Sequence, residues 1–155
     1  MNCLFFGCEK LTNIPDISLW NTSKVIDMSF LFYNFSGITS FPDISKFNIS
    51  NTINISYLFG KCGKLENVPD ISKWNTNNLS IIDGLFAECS SLLFIPDISI
   101  WKLRKLKERF LSYEQLSTHK YIYEKDFSYI RYLLVNCAQL KEIPDISKWK
   151  FLQYF

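Results

Sequence analysis

The chain has 155 residues, 48% of them apolar and 21% charged, with a net charge of +2. That is globular composition, and the charge is too near neutral to recommend nucleic acid or an anionic membrane as a partner. No apolar run is long enough to span a bilayer, and the opening MNCLFFGCEKL lacks the charged-then-apolar layout of a signal peptide.

In chain order the first element is Leu4-Phe5, Cys8, Leu11 and Ile14, followed by Pro15-Asp16-Ile17-Ser18 and Trp20. The same order returns with prolines at 42, 69 and 96, each 27 residues on, and again at 144, which is 48 on and so 21 beyond one period. Seven residues before each proline stand Cys8, Phe35, Cys62, Cys89 and Cys137; five after it stand Trp20, Phe47, Trp74, Trp101 and Trp149. Four before it come Leu11, Ile38, Leu65, Leu92 and Leu140. Strict self-similarity at such a period marks a stacked repeat architecture in which no single unit folds alone.

Within a unit, Val25, Met28 and Leu31-Phe32 predict a short helix entered through Asn21-Thr22-Ser23. Phe35, Ile38, Phe41, Ile44 and Phe47 then recur every third residue, which predicts a coil turning corners with one short strand near Ile38 to Phe41. The prolines Pro15, Pro42, Pro69, Pro96 and Pro144 end the strand, where a missing N–H costs least. Asp16, Asp43, Asp70, Asp97 and Asp145 each turn the corner by accepting the N–H two residues on. Stacked strands would lie about 4.8 Å apart in a parallel ladder. The expected fold is an α/β repeat solenoid: a leucine-rich-repeat-like right-handed stack with a short parallel sheet and short helices or 3-10 turns.

The strings LFGKCGKLENVPDISKWNT (58–76) and LFAECSSLLFIPDISIW (85–101) carry a resemblance. Their Phe-x-x-Cys-x-x-Leu-x-x-hydrophobic-Pro pattern, with Trp-Asn-Thr following in the first, resembles the BspA-like class of leucine-rich repeats. Many bacterial surface proteins belong to that class, and it is also expanded in microbial eukaryotes. The resemblance implies a scaffold used for binding or adhesion, and it brings no catalytic residues with it.

Residues 1–101 read as units one to four, the first beginning mid-repeat because Met1 falls in the register of Met28. Residues 102–127 break the pattern and read as an insertion or a decayed repeat, helical and basic. The stretch 102–126 holds seven basic and four acidic residues. Arg104, Lys105, Lys107 and Arg109 are its candidate docking segment, set against the plainer reading of a solvated helix face. Residues 128–155 form the last unit and the C-terminal end. The pair after the fourth unit's leucine is Leu93-Phe94, where other units have polar residues, and the insertion is expected to fold over it.

Five cysteines and a single histidine, His119, lack the clustered spacing of a zinc site, so the thiols read as small apolar filler. An in-register acidic column alone does not make a calcium site. The five Asn-x-Ser/Thr matches lie partly in the repeat's own turns and read as chance recurrence. No catalytic, metal or cofactor residues are expected. The candidate partner-binding face is the exposed pair beside each strand: Thr12-Asn13, Thr39-Ser40, Glu66-Asn67 and Lys141-Glu142. The expected function is a non-enzymatic protein-interaction or adhesion module with a protein or glycan ligand. The alternative is a structural fragment of a longer array, with end-to-end self-association through solenoid ends such as the aromatic KWKFLQYF. The chain as it stands is expected in the cytoplasm; as part of a longer family member, it is expected at the cell surface or secreted.

Overall fold

The computed structural model describes residues 1–103 and 132–149. Each unit puts two residues in the left-handed backbone region. Twelve before the proline these are Cys3, Phe30, Tyr57, Gly84 and Tyr132; eight before it they are Gly7, Asn34, Lys61, Glu88 and Asn136, with φ from 52° to 71°. Such a residue third in a four-residue turn is the arrangement a type II turn requires. The turn bonds are present: Leu31 N–H donates to the Met28 carbonyl at 3.2 Å, Leu58 to Ile55 at 3.1 Å, and Cys62 to Phe59 at 3.3 Å. An α-helix of L-residues cannot run through these positions.

The helix expected over Val25 to Phe32 is therefore a run of turns. Turns closing every three or four residues repeat apolar side chains at nearly the spacing of a helix face. The strand expected near Ile38 to Phe41 is also absent; only Ser40 there pairs with another unit. Among the described residues the one helical element is the 3-10 turn Ile146–Lys148. Pairing amounts to isolated parallel β-bridges: Asp27 with Asn54, Asn54 with Ile81, Ser40 with Asn67, and Asn67 with Phe94. With no α-helix and no sheet in the described residues, the α/β leucine-rich-repeat solenoid is the wrong fold class.

What joins the units is a ladder of alternate residues. Met28, Phe30, Phe32 and Asn34 donate N–H to the carbonyls of Asn54, Ser56, Leu58 and Gly60 at 2.8–3.0 Å. Ile55, Tyr57, Phe59 and Lys61 donate to Ile81, Asp83, Leu85 and Ala87 at 2.7–3.1 Å. The fourth unit bonds straight to the last: Phe86 N–H reaches the Leu133 carbonyl at 3.1 Å and Glu88 reaches Val135 at 2.7 Å. The intervening chain, 104–131, lies outside the described residues, as does most of the expected insertion.

Side chains follow the ladder. Phe5, Phe32, Phe59 and Phe86 stack ring on ring at 5.8–5.9 Å and within 14° of parallel. Trp74 and Trp101 stack at 6.3 Å, and their indole N–H groups donate at 3.2 Å to the carbonyls of Ile44 and Ile71. Ile17, Ile44, Ile71 and Ile98 fill the corner beneath each proline and are fully buried. Gly84 is held at φ +57 with the Tyr57 ring lying across it, so a Cβ would strike that ring.

Side-chain oxygens close the corners. Asp16, Asp43, Asp70, Asp97 and Asp145 accept the N–H of Ser18, Ser45, Ser72, Ser99 and Ser147 at 2.8–3.0 Å. Asn21, Asn48 and Asn75 do the same one corner later, for Ser23, Ser50 and Asn77. Each such bond satisfies a donor that the turn would otherwise leave open.

Candidate interaction face

The exposed pairs are set side by side by the backbone. Glu66 N–H donates to the Thr39 carbonyl at 3.1 Å, Leu93 to Glu66 at 2.9 Å, and Lys141 to Leu93 at 3.0 Å. Thr39, Ser40, Glu66, Asn67, Lys141 and Glu142 are exposed, as are Thr12 and Asn13. Among the described residues no bridge ties Asn13 to Ser40, so the first pair stands at the margin of the column. At this junction the first unit's chain runs close: a Cβ on Gly37 would lie 2.5 Å from the Leu11 carbonyl oxygen and 2.8 Å from that of Glu9.

The column changes character at the fourth unit. Leu93 is half-buried, whereas Phe94 is 44% exposed, with the Lys141 ammonium 5.9 Å from its ring centroid. A shallow depression of about 300 Å³ lies beside the ring, lined by Asn67, Val68, Asp70, Phe94, Ile95 and Asp97. Hydrogen bonds from the Ser72 side chain and backbone hold the Asp70 carboxyl below the usual carboxylate range. The segment expected to cover Leu93-Phe94, with Arg104, Lys105, Lys107 and Arg109, lies outside the described residues.

The thiols have a more specific place than filler. Cys62, Cys89 and Cys137 donate from Sγ to the carbonyls of Phe32, Phe59 and Phe86 at 3.2, 3.0 and 3.1 Å, each reaching the preceding unit. Its thiol neighbour Cys62 and then burial push the Cys89 thiol far up; burial, followed by Cys89, pushes Cys137 up to about 11. Among the described residues no three histidine, cysteine or acidic side chains converge to hold a metal.

Two features escaped sequence reasoning. Ile100, 63% exposed, stands three residues after Asp97, where Lys46, Lys73 and Lys148 stand in other units. The signal was a break in that lysine column. The second feature is an outer group of rings, with Phe6 on Tyr33 and Phe30 on Tyr57 at 5.1 Å in each pair. Burial raises both tyrosine phenols. The signal was aromatic recurrence at 27 residues beside the Leu-Phe pairs.

In-register units joined carbonyl by carbonyl, with residues that differ from unit to unit exposed along one column, define a repeat protein. The chain belongs to the family described as Mycoplasma protein of unknown function, DUF285, whose match covers residues 1–124. Comparison with curated proteins and with solved structures returns no match. Among the described residues no helix is long and apolar enough to cross a membrane.

Proposed function

We propose that the chain is a non-enzymatic interaction or adhesion module that recognises a macromolecular partner along the column from Thr39-Ser40 to Lys141-Glu142. The carrying observation is that the column varies in chemistry, from hydroxyl to amide to aromatic to charged, while the bonds beneath it repeat. A regular frame bearing irregular side chains supports recognition by many shallow contacts rather than by one pocket. The resemblance to BspA-like repeats, a class used for binding and adhesion, supports the same reading.

The test uses arrays of proteins and glycans probed with the labelled chain and with a variant carrying Ser40→Ala, Asn67→Ala, Phe94→Ala and Glu142→Ala. All four residues are exposed, so the variant keeps the fold, which circular dichroism checks. A ligand bound by the chain and lost by the variant supports the reading. Ligands bound equally by both, or none bound by either, sink it.

A further inference from the structure

We infer that the fourth unit carries a docking site for a basic segment of a protein partner, in which arginine or lysine alternates with apolar residues. The inference rests on reading this column as an interaction face. Three observations converge on one unit. Phe94 replaces the polar residue found at its position in the other units and stands 44% exposed beside a depression also lined by Val68 and Ile95. The lining of that depression also includes Asp70 and Asp97 from neighbouring units, both exposed. Ile100 takes the place of the lysine that follows the corner aspartate in units two, three and five; in the last unit that lysine, Lys148, lies 3.5 Å from Asp145.

The charge pattern selects the occupant. One oxygen of each carboxylate accepts a serine N–H, from Ser72 and from Ser99, both at 2.9 Å. These bonds fix the carboxylates in the corner turns. Among the described residues no cation forms an ion pair with either carboxylate. The Phe94 ring already has the Lys141 ammonium 5.9 Å from its centroid, so an incoming cation is directed to the carboxylates and an apolar side chain to the ring. An apolar surface beside two fixed carboxylates thus matches a segment with a cation at one side chain and a hydrophobic group at the next. An acidic segment would be repelled. A neutral glycan would leave the paired charge unused and would bind without dependence on it.

The test is fluorescence anisotropy on the full chain with a labelled peptide in which arginines alternate with leucines, against the same peptide with citrulline for arginine. The arginine peptide should bind more tightly, and its affinity should fall as salt rises. Asp70→Asn and Asp97→Asn should each weaken binding about two- to fivefold, the range of an exposed ion pair. Phe94→Ser should weaken it about tenfold, as loss of a central aromatic anchor does. Asp16→Asn, in the first unit, should leave binding unchanged. Equal binding of the citrulline peptide, insensitivity to the Asp70, Asp97 and Phe94 variants, or no binding of the arginine peptide overturns the proposal. If it falls while the array ligands still depend on the column, only the basic-segment inference fails; if neither survives, the reading of the face fails with it.

Discussion

Lys61 is the sharpest place to ask whether the chain is built from turns. It is exposed, sits at φ +61, and its N–H donates to the Ala87 carbonyl at 2.7 Å. The left-handed conformation costs an ordinary L-residue about 1–2 kcal/mol, which glycine avoids. Glycine in turn loses about 0.5–1 kcal/mol of extra chain entropy on folding. Lys61→Gly should therefore change stability little, within about 1 kcal/mol and in the stabilising direction. Lys61→Val keeps the steric cost and adds a branched Cβ, so it should destabilise by about 1 kcal/mol or more. The glycine variant should thus exceed the valine variant by about 1–2 kcal/mol, and its melting temperature should be higher by about 2–8 °C for a chain of this size. In a helix or a strand the order reverses, because valine is then favoured over glycine. Urea unfolding of the two variants side by side decides it, and a valine variant as stable as the glycine one would refute the turn at Lys61.

The buried thiols should resist iodoacetamide in the native chain and react on unfolding; labelling of Cys62 and Cys89 as fast as Cys8 would contradict their place. Cys89→Ala removes a bond to the Phe59 carbonyl and leaves a small void, which should cost about 1–2 kcal/mol in urea. Raised thiol values at Cys89 and Cys137 mean that the folded chain holds protons the unfolded chain loses above about pH 8.5, so stability should fall as pH rises from there towards 11. The aspartates work in the opposite sense. Serine hydrogen bonds lower Asp16, Asp43, Asp70 and Asp145, so stability should fall as pH drops below about 4. A urea midpoint flat from pH 6 to 3 would contradict this. Deleting residues 106–126 returns the last two prolines to a 27-residue spacing and should leave the melting temperature within a few degrees, whereas loss of cooperative unfolding would contradict direct stacking of the last unit on the fourth.

The repeat register was readable because the prolines mark it, and residues as different as Cys3 and Gly84, aligned by them, share nearly the same backbone conformation, φ +56 and φ +57. The helix over Val25 to Phe32 was misread for a physical reason. Turn closure and a helix face bring apolar residues round at almost the same interval, so periodicity alone does not separate them. Glycine or asparagine at left-handed positions would have separated them. Gly7, Asn34, Gly84 and Asn136 do so, but Cys3, Phe30, Tyr57, Lys61, Glu88 and Tyr132 hide the pattern behind residues that seldom adopt positive φ. The strand near Ile38 was misread because Pro42 supplies no N–H and only Ser40 meets its neighbour, leaving one bridge where a strand needs several. At the face, Leu93-Phe94 stood out as an apolar pair in a polar column. The depression beside Phe94 did not, because it depends on Asp70 and Val68 of the preceding unit.

The face depends on the last unit lying directly on the fourth, and the Lys141 amide reports on that junction. Scalar coupling across its hydrogen bond, measured by NMR, identifies the acceptor carbonyl without assumption about the fold. Coupling to the Leu93 carbonyl is the predicted result, matching the 3.0 Å bond that brings Lys141 beside Phe94. Coupling to any carbonyl within 104–131 would place a further layer of chain between the two units and contradict the face as built.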